Sequence, residues 1–242
     1  TFTISADSIT IIGADSTVTI IDFADSTAAS ARCIFAETQT NLVFRKLRIT
    51  NAYYGIWFNN ADSATIQDIT IDWCKAANGA GIKLDFSDTA LIQNSYFANN
   101  SVALALTKAT NNVINNNILS SHTSNAISLG LSSHANRITN NTILPTFTAG
   151  ITLTSSNYNI ITGNIIKTGT NGIFLTTSNN SIIKNNIVTN NSAMGFNISQ
   201  SSNCVISNNF SYNNSQYGYS LTTSGNNNRF EQNTADSNFR AG

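Results

Sequence analysis

Apolar residues return along this chain at nearly fixed intervals, separated by short polar turns. A Gly-Ile-x-Leu-like segment appears at Gly55-Ile56, Gly81-Ile82, Ala103-Leu104, Ala126-Ile127, Gly150-Ile151, Gly172-Ile173, Gly195-Phe196 and Gly218-Tyr219, with offsets of 26, 22, 23, 24, 22, 23 and 23 residues. A second apolar column follows it at Phe44, Ile66, Ile92, Ile114, Ile138, Ile161, Ile183, Ile206 and Phe230. A third runs through Ile49, Ile71, Phe97, Leu119, Ile143, Ile166 and Val188, then fades to Ser211 and Ala235. A period of this length is the mark of a solenoid. Three apolar columns per period, with polar residues between, predict three short strands per coil that turn alternate side chains inward. No helical periodicity intervenes, so equivalent strands must stack in parallel on the preceding coil. The predicted fold is therefore all-β, a single-stranded right-handed parallel β-helix, because parallel crossovers are almost always right-handed. Counting Cys33 as the first member of the leading column gives nine coils, a rod roughly 43 Å long at about 4.8 Å per coil.

The polar positions repeat as well. Ser95, Asn117, Asn141, Asn164, Asn186, Asn209 and Asn233 fall between the second and third columns, mostly preceded by another Asn. Asn tolerates the left-handed backbone of a sharp turn, and stacked amides can bond from coil to coil, which predicts an Asn ladder. A small-residue column, Ala61, Ser87, Ala109, Ser132, Ser156, Ser178, Ser201 and Ser224, marks the corner after the first strand. Both ladders read as structure rather than chemistry. The repeat runs through most of the chain and predicts one β-helix domain over 1–242, with irregular coils over 1–30, regular coils over 31–236 and a tail over 237–242. No capping helix is visible after Arg229, which leaves pairing edges for further chain, a partner or a frayed tail.

Composition narrows the function classes. Only 10% of the 242 residues are charged and the net charge is zero, so no basic stripe is available for nucleic acid. The 41% hydrophobic content recurs in register with the polar residues, which argues against disorder. No apolar run is long enough to insert in a membrane, and no signal peptide is visible. Cys33, Cys74 and Cys204 are odd in number and widely spaced, giving neither a disulfide framework nor a Cys-x-x-Cys site. Cys33 is expected to pack as a small core hydrophobe.

The Gly-Ile-x-Leu-x-x-Ser segment followed by Asn-Asn-x-Ile, seen from Gly172 to Val188, resembles the parallel β-helix repeats of the pectin-lyase-like superfamily. Within it, the repeats are similar to the Asn-rich ones of NosD-like and carbohydrate-associated surface proteins. The resemblance covers roughly 30–236 and implies the fold, an extracellular or cell-surface location, and a groove on the outer face of the first sheet; one such fold hosts many activities.

The outward positions of that sheet are Trp57 and Asn59, Lys83 and Asp85, then Ala, Thr, Ser, Gly, Phe and Asn in later coils. Tyr53, Tyr54, Trp73 and Lys75 come from the adjoining loops. Between Asp88 and Glu231 lie 142 residues without Asp or Glu. Glycoside hydrolysis needs paired carboxylates and calcium-dependent elimination needs a carboxylate cluster, so only the early coils could supply either. There Asp85 is the candidate acid or base with Lys83 as its helper. With Cys33 in the leading column, Glu37 falls level with Asn60 and Phe86, two coils below Asp85 and about 10 Å from it. A simpler reading makes Lys83 and Asp85 an exposed ion pair. The superfamily's catalytic patterns are missing: there is no Asn-Thr-Asp, Asp-Asp and Gly-His-Gly set as in polygalacturonases, nor the Asp-Pro-His of alginate epimerases. His122 and His134 read as solvated loop histidines. One Met, three scattered Cys and two His do not compose a copper site, and no metal or other cofactor is expected.

Trp57, Tyr53, Tyr54 and Trp73 offer a different use of the same face, with flat rings to stack on sugars and Asn59 to bond hydroxyls. Trp57, flanked by inward Ile56 and Phe58, is the ring expected to be exposed; the tyrosines and Trp73 could instead pack the loop of 72–80 onto the body. Three functions stay open: a non-catalytic extracellular module, structural or binding a polysaccharide or cell-surface glycan; a polysaccharide lyase or glycoside hydrolase; and a subunit that self-associates end to end or laterally. A row of outward Thr at 107, 154, 176 and 222 resembles an ice-binding surface, but Gly130 and Ser199 interrupt it.

Overall fold

In a computed structural model that describes residues 1–24, 31–223 and 225–240, thirty strands form three parallel sheets of ten strands each. The end of the N-terminal segment, Ser224 of the small-residue column and the last two residues of the tail lie outside the described residues. Each strand pairs only with its equivalents one period away, so the chain is a parallel β-helix of ten rungs separated by nine stacking steps. The second and third apolar columns pair as the periodicity predicts, Phe44 with Ile66 and Ile49 with Ile71 at the start and Ile206 with Phe230 at the end. Their side chains form one continuous core from Ile4 to Ile206.

Two registers differ from expectation. Ile34, rather than Cys33, pairs with Ile56, so Cys33 lies level with Gly55, and it still packs within the hydrophobic core as expected. The slip carries Glu37 with it: that residue is level with Asn59 and Asp85, not with Asn60 and Phe86. At the corner after the first sheet, the ladder runs through Ser133 rather than Ser132, because Ala109 N–H donates to Ser133 Oγ and Ser133 N–H to Ser156 Oγ. Leu131 and Ser132 both adopt positive φ there, 49° and 71°, and absorb one extra residue. The first 24 residues, expected as irregular coils, form a complete rung whose strand Phe2–Ile4 pairs with Arg32–Glu37 across a longer connection.

The Gly-Ile signature has a steric cause. At Gly172 a Cβ would lie 2.6 Å from the carbonyl oxygen of Gly195 and collide with Val188, so the rung closes only without a side chain.

The corners carry most of the polar interior. Asn141 Oδ1 accepts both the N–H and the side-chain amide of Asn117, while Asn141 Nδ2 donates to Ile114 O and Asn164 Oδ1, all at 3.0 Å. Two further ladders escaped the sequence reading. One runs through Asn112, Asn136 and Asn159 ahead of the second sheet. Another follows the third sheet through Asn191, Asn214 and Asn238. The turns divide labour between neighbours: Asn116, Asn140 and Asn185 take positive φ of 53–55° and face outward, and the following Asn is buried and bonded. In the early rungs the same corner positions hold Leu42, Leu47 and Ile69, which are fully packed in the core.

Candidate functional site

Most strands of the first sheet are six residues long, whereas those of the other two sheets have three or fewer, so this sheet presents the broadest outward face of the three. Across rungs 2, 3 and 4, formed by Arg32–Glu37, Tyr54–Asn59 and Ala80–Asp85, the outward columns read Phe35, Trp57, Lys83 and Glu37, Asn59, Asp85. The next rung replaces them with Ala105 and Thr107. Aromatic and ionisable groups therefore concentrate on three rungs.

Trp57 is the hub. The Arg32 guanidinium sits 4.2 Å from its ring centroid and Lys83 Nζ 4.3 Å from it, while Phe35 and Tyr54 meet it edge-on at 5.6 and 5.1 Å. Two cations on one indole, placed by the rungs on either side, stabilise the cluster by about 1 kcal/mol each. The indole N–H donates to Asp85 Oδ2 at 2.8 Å, and Lys83 Nζ reaches the same oxygen at 2.7 Å. Asp85 is only 8% exposed, so the expected surface ion pair forms but is largely buried. Glu37 Oε1 accepts the Asn59 side-chain amide at 2.8 Å. Two stacking steps separate Glu37 from Asp85, roughly 10 Å.

The aromatic residues are arranged differently from expectation. Trp57 is half-buried, with its flanking neighbours and the two cations enclosing the ring, whereas Trp73 is 43% exposed and carries Lys75 Nζ 3.8 Å above its face. Tyr53 and Tyr54 are buried; the Tyr53 hydroxyl donates to Ala77 O, and both rings pack with Ala31 and Ala80 beneath the loop. Burial, and next the neighbouring Tyr53, pushes the Tyr54 phenol up to about 12. The structure thus brings Trp57, Tyr54, Lys83 and Asp85 together, keeps Asn59 beside Glu37, and sets Trp73 apart at the corner. Arg32 and Phe35 were missed in the sequence because the one-residue slip at Cys33 turned Phe35 inward. The parallel between Phe35-Ala36-Glu37 and Trp57-Phe58-Asn59 is the signal that recovers them.

The histidines are not solvated loops. His122 is 3% exposed and takes an Asn position in the ladder after the third sheet, where its Nδ1 accepts the Asn100 N–H. Burial pulls it down to about 4, and its Nε2 is buried without a partner. His134 is half-buried and accepts the Asn157 N–H through Nδ1 at 2.8 Å.

A family model described as periplasmic copper-binding protein (NosD) matches residues 5–167 and, in an overlapping second match, 78–241. The chain belongs to the NosD family. Among curated proteins none matches it in sequence. Solved structures share its fold: the A-module of the Azotobacter vinelandii mannuronan C-5 epimerase AlgE6 superposes with a TM-score of 0.74 at 14% identity, covering 96% of this chain and 84% of that one. A mutant of the periplasmic alginate epimerase AlgG gives 0.65 at 15% identity, covering 82% of this chain and 59% of that one. The tailspike protein of E. coli bacteriophage HK620, in complex with a pentasaccharide, gives 0.65 at 10% identity over 86% of this chain and 45% of that one. This NosD-family chain therefore spans less than two thirds of AlgG and of the tailspike.

The family description raises the question of copper. Among the described residues no three His, Cys, Asp or Glu side chains converge to hold a metal ion. Burial pushes the Cys33 thiol up to about 11 and Cys74 to about 12, against the thiolate a soft metal needs. The donors among the described residues of this NosD-family chain do not fit a copper site.

Proposed function

We propose that this NosD-family chain is a non-catalytic module of the bacterial envelope or cell exterior that binds a polysaccharide across the first sheet at rungs 2 to 4. The observation that carries the proposal is the clustering of Phe35, Trp57, Lys83, Glu37 and Asp85 in the outward columns of those rungs, against Phe174 as the one aromatic or ionisable residue in the same columns of the later rungs. Trp57, Asn59 and Trp73 are the contact residues of this reading, and Tyr53 and Tyr54 form the packed floor under them. It is supported by the carbohydrate ligands and substrates of proteins with the same fold, the mannuronan C-5 epimerase and the tailspike in complex with a pentasaccharide, and by the periplasmic description of the family.

Asp85 argues for binding over turnover. Both of its recorded side-chain donors, from Trp57 and Lys83, address one oxygen, and the next carboxylate of the column is two rungs away and bonded to Asn59. A paired acid and base across a glycosidic bond requires closer placement than this or a second free carboxylate. The experiment is to present acidic and neutral polysaccharides to the protein and measure both retention and released products. The expected outcome is retention that weakens in Trp57→Ala with no new reducing ends or unsaturated uronates. Product formation that disappears in Asp85→Asn would instead establish the lyase or hydrolase reading, in which Asp85 acts with Lys83.

A further inference from the structure

The corner that follows the third sheet carries a column of small polar residues: Ser101, Thr123, then Thr170, Ser192 and Ser215. Two members break the series. Phe147 and Phe239 hold the same position, since the N–H of each donates to the ladder residue of the rung below, His122 O and Asn214 O respectively, at 3.0 Å. The Phe147 carbonyl additionally accepts the Thr170 hydroxyl at 2.9 Å. Their backbones are fixed, yet the rings are 79% and 81% exposed, more than any other large hydrophobic side chain among the described residues. Four stacking steps separate them, about 19 Å.

Between the rings the surface is concave. A 630 Å³ cavity lies beside Phe147, floored by Thr146, Thr168 and Ser192, and a 430 Å³ cavity lies beside Phe239; they meet at Ser215. No residue lining either cavity is ionisable. Hydroxyls and amides along a trough, with a ring at each end and no charge, are complementary to a neutral sugar chain: its hydroxyls bond the floor and its apolar ring faces stack on phenylalanine. An acidic polymer would find no cation among the lining residues, and a bordering carboxylate, Asp236, accepts the Ser237 hydroxyl at the Phe239 end.

We infer that this corner, from rung 6 to rung 10, is a second binding site, for a short segment of neutral polysaccharide held between Phe147 and Phe239. The inference does not rest on the first-sheet site. Calorimetric titration of the protein with neutral gluco-, manno- and galacto-oligosaccharides of increasing length tests it. Oligomers long enough to span both rings are expected to lose about tenfold in affinity in Phe147→Ala and again in Phe239→Ala. Shorter oligomers are expected to depend on one ring only, and the losses caused by Phe147→Ala and Phe239→Ala to persist in a Trp57→Ala background, where the first-sheet site no longer contributes. Both rings are exposed, so matching thermal unfolding of the variants verifies their fold. Absence of binding to every neutral oligomer, or wild-type affinity in the double variant, overturns the site. A wild-type dimer that the double variant dissolves, with no response to sugar, would overturn it in favour of contact between copies of the chain.

Discussion

Rungs 2 and 3 and rungs 5 to 9 build the same coil with opposite corners. In the early rungs the corner positions are apolar, with Leu42, Leu47, Ala64 and Ile69 buried against Phe44 and Phe58. In the later rungs the corner ahead of the third sheet is an amide, in the column Asn117, Asn141, Asn164 and Asn186, where each side chain satisfies the rung on either side. The corner ahead of the second sheet runs Asn112, Asn136 and Asn159 and then Ser181 and Cys204. The outward face of the first sheet changes over the same stretch: up to rung 4 it displays Trp57, Lys83 and Asp85, and the later rungs offer Ala, Ser, Thr, Gly and Asn with Phe174. A hydrophobic corner leaves each coil free to vary its loops, whereas an amide corner must repeat to be satisfied. Chemical variety therefore sits where the ladders are absent.

The sharpest way to break this comparison is to interrupt a ladder. In Asn164→Leu the N–H and side-chain amide of Asn141 lose their acceptor and Ile138 O loses its donor. One orphaned N–H, an Asn141 amide left with Ile114 O as its acceptor, and the lost bond to Ile138 O are expected to cost about 3–4 kcal/mol together in denaturant unfolding. The reverse exchange, Leu47→Asn, puts an amide where the adjoining corner residue Ile69 offers no side-chain partner. A loss of about 3–4 kcal/mol is expected from the same measurement. Near-neutral results for both would mean that the two kinds of corner are interchangeable.

His122 tests the boundary between the regimes, since it stands in an amide column without completing it. Its folded value is depressed, so between pH 6.5 and 4 the unfolded chain takes up a proton that the folded one refuses. Its contribution is fully present above pH 6.5, falls by roughly 3 kcal/mol as the pH drops to 4, and changes no further below that. The difference between wild type and His122→Asn across this window isolates the effect; parallel pH profiles would show that the imidazole is not held neutral.

The period, the parallel stacking and the three apolar columns were legible because each is a one-dimensional repeat of inward side chains. One Asn ladder and, but for the step at Ser133, the small-residue ladder were legible for the same reason. The other two Asn ladders were hidden by the abundance of Asn. In Asn-Asn pairs only the second member is buried, and a pattern of composition does not separate it from its positive-φ neighbour. The register slip at Cys33 arose because Cys and Ile are both apolar and adjacent. It mattered at the site, where one position decides whether Phe35 faces Trp57 or the core. The enclosure of Trp57 by Arg32 and Lys83 joins three rungs and becomes visible only when all three registers are right.

The proposal that rungs 2 to 4 hold the polysaccharide is tested most directly by retention of the wild-type protein and of Trp57→Ala on immobilised polysaccharides, with the eluates assayed for cleavage. The account predicts retention of the wild type, about tenfold weaker retention of the variant, and no cleavage by either. Equal retention of the two proteins would contradict it.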